Sequence, residues 1–133
     1  MLDANGFIVA KASRKIDKIA SAVRMLLRPV EFMTDEELMS IPAGSVFVFD
    51  VECYRNFFYV AFKCLSNGKF VAFERSPDFD FPELKLRWML WRFCLVGFNS
   101  ASYDLPMVAL AAKGLSCNEL KEASDFIIKS GQN

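Results

Sequence analysis

The run Val46-Phe47-Val48-Phe49-Asp50-Val51 constrains this chain more than any other stretch. Five of its six residues are apolar and favour extended backbone. The run is too short for a helix of ordinary length, so it reads as a central strand covered on both faces. Phe57 to Leu65 reads as a second strand and Lys69 to Glu74 as a third, joined through Ser66-Asn67-Gly68, which has hairpin-turn chemistry. A polar, proline-containing loop follows from Ser76 to Phe81. Pro82 suits the first turn of a helix running to about Phe93. Cys94 to Phe98 reads as a fourth strand. Asp104 opens a helix through about Lys113, stopped by Gly114 at the position after the cap. Ser116 then caps a last helix from about Cys117 to Lys129. Three hairpin-linked strands and a helical crossover to a fourth predict an α/β mixed sheet with flanking helices.

Upstream, Ile16, Ile19, Ala20, Val23, Leu26 and Leu27 recur at helical spacing, so an amphipathic helix is expected from Ala10 to Leu27, ended by Pro29. Lys11, Arg14, Lys15 and Lys18 lie on its other faces, either as an ordinary solvated surface or as a contact for nucleic acid or a membrane surface. Thr34-Asp35-Glu36-Glu37 is a capping box for a short helix to about Met39, and Ile41-Pro42-Ala43-Gly44 is a turn. Residues 1–44 are therefore read as a helical extension and 45–133 as the main domain.

The 133 residues, 53% of them hydrophobic, suffice for one domain with a real core. Sixteen basic residues balance sixteen acidic ones, so net charge says nothing about partners. Its distribution does: residues 1–30 carry six basic side chains against Asp3 and Asp17, leaving the remainder mildly acidic. Histidine is absent, which removes Ser-His and Cys-His nucleophiles, histidine bases and His-containing zinc sites together. Cys53, Cys64, Cys94 and Cys117 form no Cys-x-x-Cys pair, so neither a zinc ribbon nor a disulfide framework is indicated. The first three sit in apolar runs, where reduced cysteine behaves as a small core residue, and a reducing cytoplasmic setting is expected. No stretch reaches the roughly 18 apolar residues of a membrane span.

Asp50 and Glu52, two apart on a strand, leave the same face about 7 Å apart at the backbone. Such a pair repels unless protonated or bridged by a cation, for which a hard divalent ion with oxygen ligands is suited; the plainer reading is two acids at a fraying strand end. Gly97-Phe98-Asn99-Ser100-Ala101-Ser102-Tyr103-Asp104 then carries a strand into a helix. Asp104 there is either a simple cap favoured by the helix dipole or, if strands one and four are neighbours, a third carboxylate facing the other two.

Phe-Asp-Val-Glu-Cys (49–53) resembles the first motif of DEDD-type 3′→5′ exonucleases. Gly-Phe-Asn-Ser-x-x-Tyr-Asp-x-Pro (97–106) resembles their second, in the form seen in proofreading domains of family B DNA polymerases and phage relatives. The resemblance covers about Ser45 to Lys113. It implies a ribonuclease-H-like fold and a site holding two Mg²⁺ or Mn²⁺ ions. Asp50 would correspond to the carboxylate bridging both metals, Glu52 to a ligand of the nucleophile-side metal and Asp104 to a ligand of the second. Asn99 would offer amide hydrogen bonds to a terminal nucleotide or orient the loop. Tyr54 and Phe98 would line a terminal-base pocket or else be core aromatics. The implied substrate is a single-stranded DNA 3′ end, in phage-type replication or repair.

The family's third motif, a Tyr or His followed by a fourth Asp on a later helix, has no counterpart. The last tyrosine is Tyr103, and Asp125 comes too early and without its Tyr. The last strand and helix of the fold are missing with it. Three origins are open: an excised fragment, a short viral protein using the scaffold for binding or inhibition in the host cytoplasm, or two chains that complete one another. Little activity is expected from this chain alone. A homodimer or protein partner is expected through an exposed sheet edge or the N-terminal helix.

Overall fold

The structure, a computed structural model, describes residues 16–24, 29–98 and 101–131. The chain divides into two compact units, Met1–Val30 and Glu31–Asn133. In the first, residues 16–24 form helix α1 and leave Ile16, Ile19 and Val23 exposed. The rest of the helix expected from Ala10 to Leu27 lies outside the described residues. Residues 31–44, read from the sequence as part of the extension, belong to the second unit. Backbone pairing explains why: Met33 N–H donates to the Phe70 carbonyl at 2.8 Å, and Phe70 N–H donates to that of Glu31 at 2.8 Å. Leu38 is buried in the same core.

The second unit runs α2 (Asp35–Ser40), β1 (Val46–Tyr54), β2 (Phe57–Cys64), β3 (Phe70–Arg75), α3 (Glu83–Arg92), β4 (Cys94–Val96), α4 (Asp104–Ala112) and α5 (Cys117–Gly131). The four strands form one mixed sheet in the order β3-β2-β1-β4. β1 pairs antiparallel with β2, as β2 does with β3, while β1 and β4 are parallel. A parallel neighbour needs a crossover, and α3 supplies it. Gly68, at φ +72, permits the tight β2–β3 turn, where Lys69 N–H donates to Asn67 Oδ1 at 2.8 Å. The helix starts follow the expected caps: Glu37 N–H donates to Thr34 Oγ1 at 3.1 Å and Glu119 N–H to Ser116 Oγ at 3.3 Å. Gly114, at φ +95, follows the C-cap of α4.

Register sorts the strand residues into two faces. Phe49 stands opposite Phe62 and Phe62 opposite Val71; Val51 stands opposite Val60 and Val60 opposite Phe73. These side chains are buried and their rings pack, Phe49 on Phe62 at 5.6 Å and Phe62 edge-on to Phe73 at 5.8 Å between centroids. Leu86 and Met89 of α3, Met107, Val108 and Ala111 of α4 and Leu120 of α5 complete that core. The opposite face behaves differently. Val48, Asp50, Glu52 and Tyr54 of β1 are all exposed, which corrects the expectation that β1 is covered on both sides. An acidic residue every second position is incompatible with a second apolar layer there.

Two further expectations fail. β4 ends at Val96 rather than Phe98, pairing only with Val46 to Val48. Cys94 is exposed and Cys53 only half-buried, so of the three cysteines in apolar runs only Cys64 is a core residue. On α3, Leu84 and Trp91 point outward, Trp91 with 91% of its surface exposed. Because Phe62 touches both neighbouring strands, Phe62→Ala is expected to cost about 3–5 kcal/mol. Trp91→Ala should change stability by less than about 0.5 kcal/mol. Urea unfolding of the two variants beside the parent chain measures the contrast.

Candidate functional site

Sequence alternation alone carries Asp50 and Glu52 to the uncovered face of β1, since Phe49, Val51 and Cys53 between them turn toward the helices. The topology does the rest. β4 runs parallel beside β1 and stops after three residues, so from Phe49 onward β1 has no strand partner on that side among the described residues. The chain leaving β4 returns into α4 at the same end of the sheet. Asp104 occupies the first turn of α4, where the exposed backbone N–H groups favour a negative charge.

Asp104 is a buried carboxylate, 8% exposed. Burial pushes its carboxyl above the usual carboxylate range, and the negative charge of Asp50 pushes it further in the same direction. The ionised form of Asp104 is thus disfavoured first by burial and then by the charge of Asp50. Tyr103 holds the start of α4 in place. Its hydroxyl shares a 2.8 Å hydrogen bond with Ser124 Oγ of α5, and Ser124 is itself buried. Burial raises the Tyr103 phenol above its ordinary value.

Glu52 shares the open face with Asp50, and Tyr54 donates its hydroxyl hydrogen to Glu52 Oε2 at 3.3 Å. Two repelling carboxylates fit a hard divalent cation such as Mg²⁺ or Mn²⁺, whose charge would relieve the repulsion and whose shell accepts oxygen ligands. Water would fill most of that shell. Among the described residues, no three His, Cys, Asp or Glu side chains are gathered closely enough to hold a metal ion.

The remaining candidates fall as follows. Tyr54 and Phe98 are not core aromatics: Tyr54 is 56% exposed and Phe98 96% exposed. Lys18 is exposed on α1, while Lys11, Arg14, Lys15 and Asn99 lie outside the described residues. Asp125 accepts a hydrogen bond from Lys121 at 2.7 Å, one turn away on α5. It acts electrostatically on Cys53, which lies on the helix-covered side of β1. Asp125 is thus engaged with Lys121 on its own helix.

Sequence reading missed the Tyr103–Ser124 pair and the character of the open face. The second had a visible signal. In β2, Phe57, Tyr59, Ala61 and Lys63 alternate with the buried Phe58, Val60, Phe62 and Cys64. In register, Tyr59 then stands between Glu52 and Glu74, and Ala61 beside Asp50. The first had none, because a hydrogen bond across 21 positions leaves no local pattern.

Compared with protein-family models, curated proteins and solved structures, the chain matches none of them.

A carboxyl raised in the folded state binds protons more readily there than in the unfolded chain. Asp104 therefore adds no cost below its ordinary value of 3.8, and a growing one as pH rises through its folded value. Asp104→Asn is expected to be more stable than the parent at pH 7, with that advantage vanishing as pH falls toward 3.8. Thermal melts from pH 3 to 8 in chelator, with the two curves compared at each pH, would show the convergence.

Proposed function

We propose that this chain is a metal-dependent phosphodiester hydrolase of the DEDD 3′→5′ exonuclease lineage, in the phage-replication form, built on a ribonuclease-H-like sheet and feeble on its own. The single observation carrying this reading is the buried Asp104 at the start of α4, which follows the β4 strand lying parallel beside the strand of Asp50. Acids 54 positions apart have no structural need to approach, and burying one beside the other costs stability. The strand order and the parallel β1–β4 pair add support, since they bring both exonuclease-like strings to one end of adjacent strands.

A bound Mg²⁺ or Mn²⁺ would supply charge neutralisation and an acidified water. In this reading Asp50 and Asp104 hold the ion, and Glu52, oriented by Tyr54, faces the same space from β1. Phe98 and Tyr54 present exposed rings on which the terminal base of a single-stranded DNA 3′ end can stack. What is lacking is a base. The chain has no histidine, and its last tyrosine, Tyr103, is engaged with Ser124 and raised in pKa. Proton abstraction therefore falls to bulk water, and a rate loss of roughly 10²–10⁴ against a site with a positioned base follows.

A second reading, a non-catalytic interaction protein, is favoured by one feature. Trp91 and Leu84 on α3 are exposed, as are Val48 and Val96, paired across β1 and β4 at the outer end of the sheet. Such surfaces commonly bind a protein partner or a second copy.

The two readings separate cleanly. With Mn²⁺ and a 3′-labelled single strand, slow release of mononucleotides is expected, lost in Asp50→Ala and in Asp104→Asn. Mg²⁺ should raise the melting temperature of the parent but of neither variant. Activity that survives Asp50→Ala, or the absence of both activity and an Asp104-dependent metal shift, removes the hydrolase reading.

A further inference from the structure

On the β3 side of the open face, a cavity of about 590 Å³ is lined by Phe32, Tyr59, Glu74, Phe79, Asp80 and Pro82, among others. Four aromatic residues and two acidic ones line this one recess, and among the described residues no basic side chain lines it. We propose that this recess receives the guanidinium or ammonium group of an arginine or lysine side chain in a basic peptide.

The chemistry of the walls selects this ligand. An aromatic face attracts a cation through its quadrupole, and carboxylates at the rim pair with the same charge. A phosphate would be repelled by Glu74 and Asp80, and a purely apolar group would take water from both acids without supplying an opposite charge. The same face already holds one such contact: the Lys63 ammonium lies 5.7 Å from the centroid of the Phe70 ring. The walls are held by main-chain bonds. Phe32 sits in the segment paired to β3 at Phe70, and Phe79 closes a turn in which its N–H donates to the Ser76 carbonyl at 3.4 Å. Ser76 Oγ in turn donates to Glu74 Oε2 at 2.9 Å, orienting that carboxylate. Phe79 is nonetheless 62% exposed, and so accessible to a ligand.

A peptide, rather than a free small cation, is indicated by what adjoins the recess. Glu52, Tyr59 and Glu74 lie in register across β1, β2 and β3. This row leads out of the recess to a further carboxylate two strand spacings away, about 10 Å. Two cations three residues apart in a polyproline-II segment, roughly 9 Å between them on one side, match that interval. Residues 31–133 also carry a net negative charge, which favours approach of a basic chain.

The test is calorimetric titration of the full chain with a ten-residue peptide carrying Arg-x-x-Arg between neutral residues, with N-acetyl-arginine methylamide and with a single-stranded oligonucleotide. The proposal expects saturable binding of the peptide, at least ten-fold tighter than the single arginine derivative. It also expects a ten-fold or greater loss in Glu74→Gln/Asp80→Asn and, independently, in Phe79→Ala. A charge-matched control away from the recess, Glu36→Gln/Glu122→Gln, should keep the parent affinity. Circular dichroism confirms that each variant is folded. No peptide binding, equal binding of the single arginine derivative, equal loss in the control, or displacement of the peptide by the oligonucleotide with its affinity dependent on Phe79 would each overturn the proposal.

Discussion

The sheet buries one face and leaves the other largely open, and nearly every other feature follows from that sidedness. Phe47, Phe49, Phe58, Phe62 and Phe73 put an aromatic layer on one side, and a layer of that size must be covered to be stable. Helices α3, α4 and α5 cover it. Once they are committed there, the alternate residues of β1 and β2 project from the opposite face, away from that layer. Asp50, Glu52, Tyr54, Tyr59 and Lys63 occupy those places, so acids and amphipathic rings gather on the surface where ligands can reach them.

The same commitment explains the tension at Asp104. Covering the aromatic layer requires α4 to pack Met107, Val108 and Ala111 against the core. That carries the first residue of the helix, Asp104, into burial. The Tyr103–Ser124 hydrogen bond locks the approach. A carboxylate whose ionised form is disfavoured by burial is a local cost in stability. Costs of this kind concentrate where a ligand supplies the missing interaction. The peptide recess lies toward β3 on the same face, and the row leading out of it reaches Glu52, which the hydrolase proposal also uses.

Much of the fold was legible in the residues. The β1 and β2 runs, the Asn67-Gly68 turn and the caps at Thr34 and Ser116 depend on a few neighbouring positions, and those positions carry strong local preferences. The end of α4 at Gly114 is legible for the same reason. The failures share a cause too. A run such as Val46 to Val51 states that the backbone is extended but not how many layers will cover it, so the second face was misjudged. Cys94 sits among apolar neighbours in the chain, yet β4 lies at the edge of the sheet and exposes it. Residues 31–33 carry no strand signature and pair with β3 only because that edge is otherwise unsatisfied.

At the site, the chain alone determined that Asp50 and Glu52 share a face, because the side-chain period of a strand is two whatever surrounds it. It also determined that Asp104 stands at a helix start, because Tyr103-Asp104-Leu105-Pro106 can begin a helix but not continue one. Where Asp104 lies relative to those two acids was a matter of strand order, since the parallel placement of β4 against β1 brings the chain to α4 from the strand beside them. The exposure of Phe98 and Tyr54, the isolation of Asp125 on the helix side and the ring-lined recess at β3 were likewise decided in three dimensions. Each depends on contacts between segments distant in sequence, and such contacts leave no periodicity or spacing from which they could be inferred.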